Sequence, residues 1–266
     1  MRARKRFGQH FLEPAWVDKV IAAIEPKADD TFLEIGPGRG ALTRPLAARA
    51  KAVTVYEIDR DLAADLRAAA IPNMWVVEGD FLTAPLEPAI RHPSAIRSPQ
   101  SAIRVAGNLP YNVASPILFR LAELYASGLP IADATLMLQR EVAERLTAAP
   151  GTKEYGVLSV LLQHVARLEL VLKLPAGAFR PAPKVLSALV RLQFHVPDPP
   201  VADLARFEAL VRLAFSHRRK TLGNALRRRA ADSTSAALAA AGLDGRRRPE
   251  TLTVAEFARL ADVYPQ

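Results

Sequence analysis

Four short stretches of this chain hold residue types that can act together chemically. Gly36-Pro37-Gly38-Arg39-Gly40 is a glycine loop, and Glu57 stands roughly 20 residues beyond it. Asp80 follows a Glu-Gly pair, and Asn108-Leu109-Pro110-Tyr111 follows an apolar run. Glycines in such a loop let a ligand approach the main chain where a Cβ would block it. An acid placed as Glu57 is typically holds ribose hydroxyls. Asp80 can accept from an adenine amine. Gly36, Gly38, Glu57 and Asp80 therefore describe a site for a nucleoside-bearing cofactor. The loop is shorter than a full dinucleotide fingerprint, and without a Lys-Ser/Thr pair it is not a P-loop. Two cofactors remain, a nicotinamide dinucleotide and S-adenosylmethionine.

The segment Asn108 to Tyr111 separates them. The exocyclic amine of adenine is a poor nucleophile because its lone pair is delocalised into the ring. The Asn108 side-chain oxygen and a backbone carbonyl beside Pro110 can accept its two N–H bonds and draw the nitrogen toward tetrahedral geometry. The lone pair then points at a sulfonium methyl. Pro110 removes a donor and stiffens the turn, and Tyr111 offers a face for a base to stack on. Such a transfer depends mainly on positioning and needs no strong base.

These residues must be held by alternating elements. Apolar runs at Thr31–Ile35, Ala52–Ile58, Met74–Val77 and Ile103–Gly107 read as strands that each end at one of the four stretches. Further strands are expected at Thr135–Leu138, Leu168–Leu172 and Val185–Phe194. Helical spacing follows Pro14 and covers Ala41–Ala50, Asp61–Ala70, Glu141–Thr147 and Val157–Val165. Ser115 reads as a helix cap with Pro116 in the first turn. This alternation predicts an α/β fold with a doubly wound, mostly parallel sheet over residues 1–196. The Pro- and Ser-rich stretch 85–102 reads as a surface insertion. Pro197-Asp198-Pro199-Pro200 reads as a hinge before a helical segment, 197–266, in which Thr253 and Glu256 form a capping box.

The whole chain bounds the partners. Its 266 residues carry a formal charge of +9, with a sequence pI of about 10.1. That balance suggests an anionic partner, nucleic acid before membrane. Eight Lys/Arg stand between Arg206 and Arg229 against one acid, Glu208. Arg218, Arg219 and Lys220 are the centre of this run, which suits a phosphate backbone. No cysteine is present, which excludes disulfides and thiolate metal sites and fits a reducing, cytoplasmic setting. No apolar run approaches the ~18 residues of a membrane span. The basic start, Met1 to Arg6, lacks the apolar core of a signal peptide. The five histidines show no metal-ligand spacing, so no metal is expected, and nothing calls for a dimer rather than a monomer.

Five motifs occur together and in order: Lys5-Arg6-Phe7-Gly8-Gln9-His10-Phe11-Leu12, Glu34-Ile35-Gly36-Pro37-Gly38, Asn108-Leu109-Pro110-Tyr111, Phe179-Arg180-Pro181-Ala182-Pro183-Lys184-Val185 and Arg218-Arg219-Lys220-Thr221-Leu222. In this the chain closely resembles the ribosomal RNA adenine dimethyltransferases, on the side of their bacterial small-subunit members. The resemblance implies a Rossmann-like class I methyltransferase sheet with a small helical C-terminal domain that binds RNA. It implies S-adenosylmethionine as donor and two adjacent adenosines near the 3′ end of 16S rRNA, in the small ribosomal subunit, as substrate. Carried over, the donor contacts are His10, Leu12, Gly36, Glu57, Asp80 and Asn108. Phe179 would stack on a flipped adenine opposite Tyr111. The family usually has Asn where this chain has His10; histidine can donate or accept there, which opens the contact to pH. Large-subunit rRNA methylation is a second reading within the class. A nicotinamide oxidoreductase lacks an acid residue for hydride transfer here, and an RNA-binding assembly factor could exist alongside catalysis.

Overall fold

The computed structural model describes residues 10–86, 102–217, 220–227 and 233–265. The greater part of the expected insertion at 85–102 therefore lies outside the described residues, as do Lys5 to Gln9, His92, Arg218, Arg219, Arg228 and Arg229. Residue packing divides the chain into two units. One holds Met1–Ala143 and Glu169–Phe194; the other holds Glu144–Leu168 and His195–Gln266. The break after Phe194 falls near the expected hinge, and the second unit also takes in 144–168, which sequence reading had grouped with the sheet.

The sheet unit opens with β1 (Phe11–Leu12) and α1 (Pro14–Ile24), then β2 (Thr31–Ile35), α2 (Thr43–Ala47), β3 (Ala52–Glu57), α3 (Arg60–Ala68) and β4 (Met74–Glu78). It continues with β5 (Ile103–Asn108), α4 (Ala114–Ala126), β6 (Ile131–Gln139) and α5 (Arg140–Leu146), which runs past the unit boundary. After α6 (Val157–Val165) come β7 (Ala166–Leu174), β8 (Phe179–Arg180) and β9 (Ser187–Phe194). The main sheet has the order β4-β3-β2-β5-β6-β9-β7. Pairs from β4 to β6 are parallel, and β9 runs antiparallel to β6. Every residue of β2 and β3 is buried. Strands covered on both faces need such continuous apolar runs, which is why these two were legible in advance.

Several boundaries differ from expectation. The helix expected over Ala41–Ala50 is confined to Thr43–Ala47; its late start follows three glycines with positive φ in the turn before it. Ser115 does not cap α4: the helix starts at Ala114, with Val113 as an uncapped N-cap. The last strand begins at Ser187, leaving Val185 and Leu186 exposed. The capping box at Thr253 and Glu256 forms as expected, each side chain accepting the other's main-chain N–H.

From β2 the chain winds outward through β3 to β4, then returns to the other side of β2 as β5. This reversal puts the carboxyl ends of β2 and β5 side by side, and open α/β sheets bind ligands at that point. The contact is tight. Gly107 pairs with Ile35 across it, and a Cβ on Gly107 would stand 2.6 Å from the Ile35 carbonyl oxygen. That oxygen belongs to the central ladder and cannot retreat without spreading β2 from β5. Gly107→Ala should therefore destabilise the chain by about 1–3 kcal/mol, the usual cost of overpacking. Chemical unfolding of the two proteins checks this; equal stability would show that the ladder gives way freely. At the other end of β5, Arg104 donates to both carboxylate oxygens of Asp133, to Asp30 and to the Ile24 carbonyl, fastening the strand to its neighbours.

The second unit adds α7 (Leu204–Phe215), α8 (Leu222–Leu226), α9 (Thr234–Ala240) and α10 (Val254–Val263). Its core draws on both of its chain segments. The His164 ring stands 4.6 Å from that of Phe207, Tyr155 meets Phe215 edge-on, and Phe215 packs on Phe257. Residues 144–168 thus supply the apolar surface that a 70-residue tail would lack by itself.

Candidate active site

The loop after β2 carries Gly36, Gly38 and Gly40, all with positive φ. At Gly38 the requirement is twofold. Its φ is +58°, and a Cβ would meet the Phe11 ring at 3.3 Å. Phe11 comes from β1, which pairs antiparallel with β8. The Arg39 guanidinium lies over the same ring, 4.2 Å from its centroid. Two residues show no periodicity, so the sequence alone predicts no strand at Phe11–Leu12.

Glu57 ends β3 and holds this loop. Its Oε2 accepts from the Gly38 N–H at 2.9 Å, and its Oε1 accepts from the Asp59 N–H at 2.9 Å. Burial pushes its carboxyl above the ordinary value, against the pull of the Asp59 and Gly38 N–H bonds. The Ile58 N–H adds a third such bond, which leaves the carboxylate room for one further donor. Asp80 follows β4 with its Oδ1 accepting from the Leu82 N–H, and its side chain is exposed.

Asn108 ends β5, and its Nδ2 donates to the His10 carbonyl at 2.8 Å. Leu109 is buried, its N–H donating to the Met137 carbonyl. The Pro110 carbonyl accepts from Val113 in the turn leading to α4. The Tyr111 hydroxyl stands 2.9 Å from Ser187 Oγ, and burial raises its phenol above the ordinary value. The His10 ring stacks on Tyr111, with centroids 5.6 Å apart and planes 23° from parallel.

These groups line one cavity of about 220 Å³. His10, Leu12, Gly36, Gly38, Glu57, Asp80 and the whole of Asn108 to Tyr111 border it, together with Ile58 and Phe81. The structure thus gathers every described residue assigned to the cofactor and to the Asn108 motif. It does not bring Phe179 to the cavity wall. That ring is fully buried in the core of the sheet unit, in a cluster with Leu12, Ala178 and Leu189. Lys220, in the second unit, is exposed. Among the described residues no cluster of three or more His, Asp or Glu is placed to hold a metal ion. No helix there is long and apolar enough to cross a membrane.

Glu34 also borders the cavity, and the sequence motif that contains it assigns it no chemical role. Glu34 lies inside β2, 1% exposed, and its Oε2 has no hydrogen-bond partner among the described residues. Burial pushes its carboxyl up to about 8, the Thr43 hydroxyl opposes this, and the Glu57 charge adds to it. Its only signal in the sequence was an acid within an otherwise apolar strand. Between the ordinary carboxylate range and about 8, the folded chain holds a proton that the unfolded chain has released. Stability therefore falls as pH rises through that window. Glu34→Gln should lose less stability than the parent between pH 5 and pH 8, by on the order of a few kcal/mol. Denaturant unfolding at both pH values checks this; parallel losses would mean that Glu34 ionises freely when folded.

Comparisons with known proteins agree with this geometry. The family model for ribosomal RNA adenine dimethylase matches residues 1–266. The ribosomal RNA small subunit methyltransferase A of Acinetobacter baylyi is 44% identical, over 98% of this chain and 92% of its own length. The protein of the same name from Chromohalobacter salexigens is 46% identical, over 98% and 91%. Among solved structures, a dimethyladenosine transferase from Plasmodium falciparum superposes with a TM-score of 0.74 at 25% identity, covering 94% of this chain and 96% of that one. The 23S rRNA methyltransferase ErmE gives 0.69 at 32%, covering 96% and 100%. A family model that matches the whole chain, and relatives 44–46% identical along nearly all of it, lead to one conclusion: this chain belongs to the ribosomal RNA adenine dimethylase family and is by that membership a methyltransferase.

Proposed function

We propose that this chain dimethylates the exocyclic amines of two adjacent adenosines in the 3′-terminal hairpin of 16S rRNA, acting as a monomer on the small ribosomal subunit in the cytoplasm during subunit biogenesis. The observation that carries the chemistry is the acceptor pair at the end of β5. Among the described residues no donor reaches Asn108 Oδ1 or the Leu109 carbonyl, and both residues border the cavity. The carbonyl beside Pro110 available to an amine is thus that of Leu109, since Pro110's own already receives the Val113 N–H.

The residues present fit S-adenosylmethionine. Glu57 offers a lone pair suited to a ribose hydroxyl, and Asp80 an exposed carboxylate oxygen suited to an adenine amine. When bound, the donor supplies an electrophilic methyl group on a sulfonium. Asn108 and Leu109 accept the two N–H bonds of the target amine and hold its lone pair toward the donor side. Tyr111, its hydroxyl held at Ser187, fixes the plane of the base. The alkylated nitrogen is acidic and releases its proton to water, so no general base is required.

The small-subunit assignment is supported by the names of relatives 44–46% identical, against 32% for the 23S enzyme. The exposed Lys220 is assigned with Arg218 and Arg219 to phosphate contacts. Transfer of labelled methyl groups to small subunits that lack the modification tests the reading, with mass spectrometry of the digested rRNA to place the product. Two dimethylated neighbouring adenosines are expected. Modification of 23S rRNA instead, or turnover of a nicotinamide cofactor, would overturn it.

A further inference from the structure

An amide side chain has two ends of nearly the same shape and opposite hydrogen-bonding sense, and its last torsion is soft. If the amide of Asn108 turned over, it would present N–H groups to an amine that also donates. In the structure Nδ2 faces the His10 carbonyl at 2.8 Å. Only the nitrogen end can make that bond, so Oδ1 is the end left over.

The position of the His10 carbonyl needs its own explanation. The β1–β8 ladder holds Phe11 and Leu12 against Arg180 and Phe179 and stops there. His10 lies one residue beyond it. Two side-chain contacts hold it instead. Its Nδ1 is 2.7 Å from the Pro181 carbonyl, to which it donates, and its ring stacks on Tyr111. The result is a closed circuit in which Asn108 is bound to His10, and His10 to the residue three places beyond Asn108.

We propose that His10 is a positioning residue for Asn108: its main-chain carbonyl pins the carboxamide with the oxygen outward, and its imidazole keeps that carbonyl in place. The inference rests on the role given to Asn108 above. It assigns His10 a function exerted through Asn108, distinct from the donor contact that the family resemblance implies.

The test uses the full chain and two variants. His10→Ala removes both ring contacts. His10→Asn puts an amide nitrogen near the position of Nδ1 and can keep the bond to Pro181. Without the pin, transfer must itself order the carboxamide, so kcat for His10→Ala should fall about fivefold. The donor KM should stay within about twofold, and His10→Asn should return kcat to within about twofold of the parent. Hydrogen exchange of the Asn108 side-chain amide, followed by NMR in the free protein, should speed up in His10→Ala and not in His10→Asn. A raised donor KM at unchanged kcat, an asparagine variant as slow as the alanine one, or equal exchange in all three proteins would overturn the proposal. If the parent itself methylates no adenine, the reading of function falls, and the exchange comparison still decides whether the pin exists.

Discussion

Asn108→Ala should lower methyl transfer by about a hundred- to a thousandfold, the range seen when one preorganised hydrogen-bonding partner of a transition state is removed. The amine of adenine must give up conjugation before it can attack, and Asn108 Oδ1 is one of the two acceptors assigned above to draw its N–H bonds out of plane. Alanine leaves the Leu109 carbonyl in place, so activity should fall steeply without vanishing. The side chain is partly exposed and its one bond is to the His10 carbonyl. The fold should therefore survive, with donor affinity within about threefold of the parent because Glu57 and the glycine loop are untouched. Single-turnover transfer to small subunits, set beside calorimetric titration of the donor, separates the two effects. A variant that methylates at the parent rate would remove Asn108 from the chemistry, and equal loss of binding and turnover would make the donor contact implied by the family resemblance its main role.

Phe179→Ala should destabilise the chain by about 3–5 kcal/mol, the cost of emptying a large aromatic site in a close-packed core. The ring is fully buried and packs with Leu12, Ala178 and Leu189, which have little freedom to fill the space because Leu12 and Phe179 are ladder partners. Transfer should fall with stability, since β1 carries His10 and Phe11 to the cavity. This differs from the expectation drawn from the family resemblance, in which Phe179 stacks on the flipped base and its loss spares the fold. Denaturant unfolding decides between them. A variant as stable as the parent that binds donor but transfers poorly would mean that the ring leaves the core to meet the base.

The two residues differ in how much of their placement the sequence carries. The place of Asn108 was legible because a polar-Leu-Pro-aromatic segment after an apolar run reads as a strand end, and strand ends in a wound sheet meet at one edge. Glu57 and Asp80 were legible for the same reason. Phe179 was not, because the proline-rich stretch around it gives no period from which to tell a buried ring from an exposed one. Glu34 was passed over since an acid in a buried strand conflicts with the apolar pattern that identifies the strand. Ser115 was read as a cap from its neighbour Pro116, yet the turn from Asn108 to Val113 already sets where α4 begins.

By itself the sequence determined the alternation of elements, the parallel sheet, and the set of strand ends that form the cavity, because each of these follows from local periodicity and from the backbone freedom of glycine and proline. Only the tertiary structure decided three other matters. It paired β1 with β8, carrying Phe11 onto Gly38 and His10 onto Tyr111. It assigned residues 144–168 to the helical unit. It left Asn108 with its oxygen outward. Each of these joins residues well separated along the chain, where the outcome turns on which surfaces bury each other best, and no local pattern encodes that.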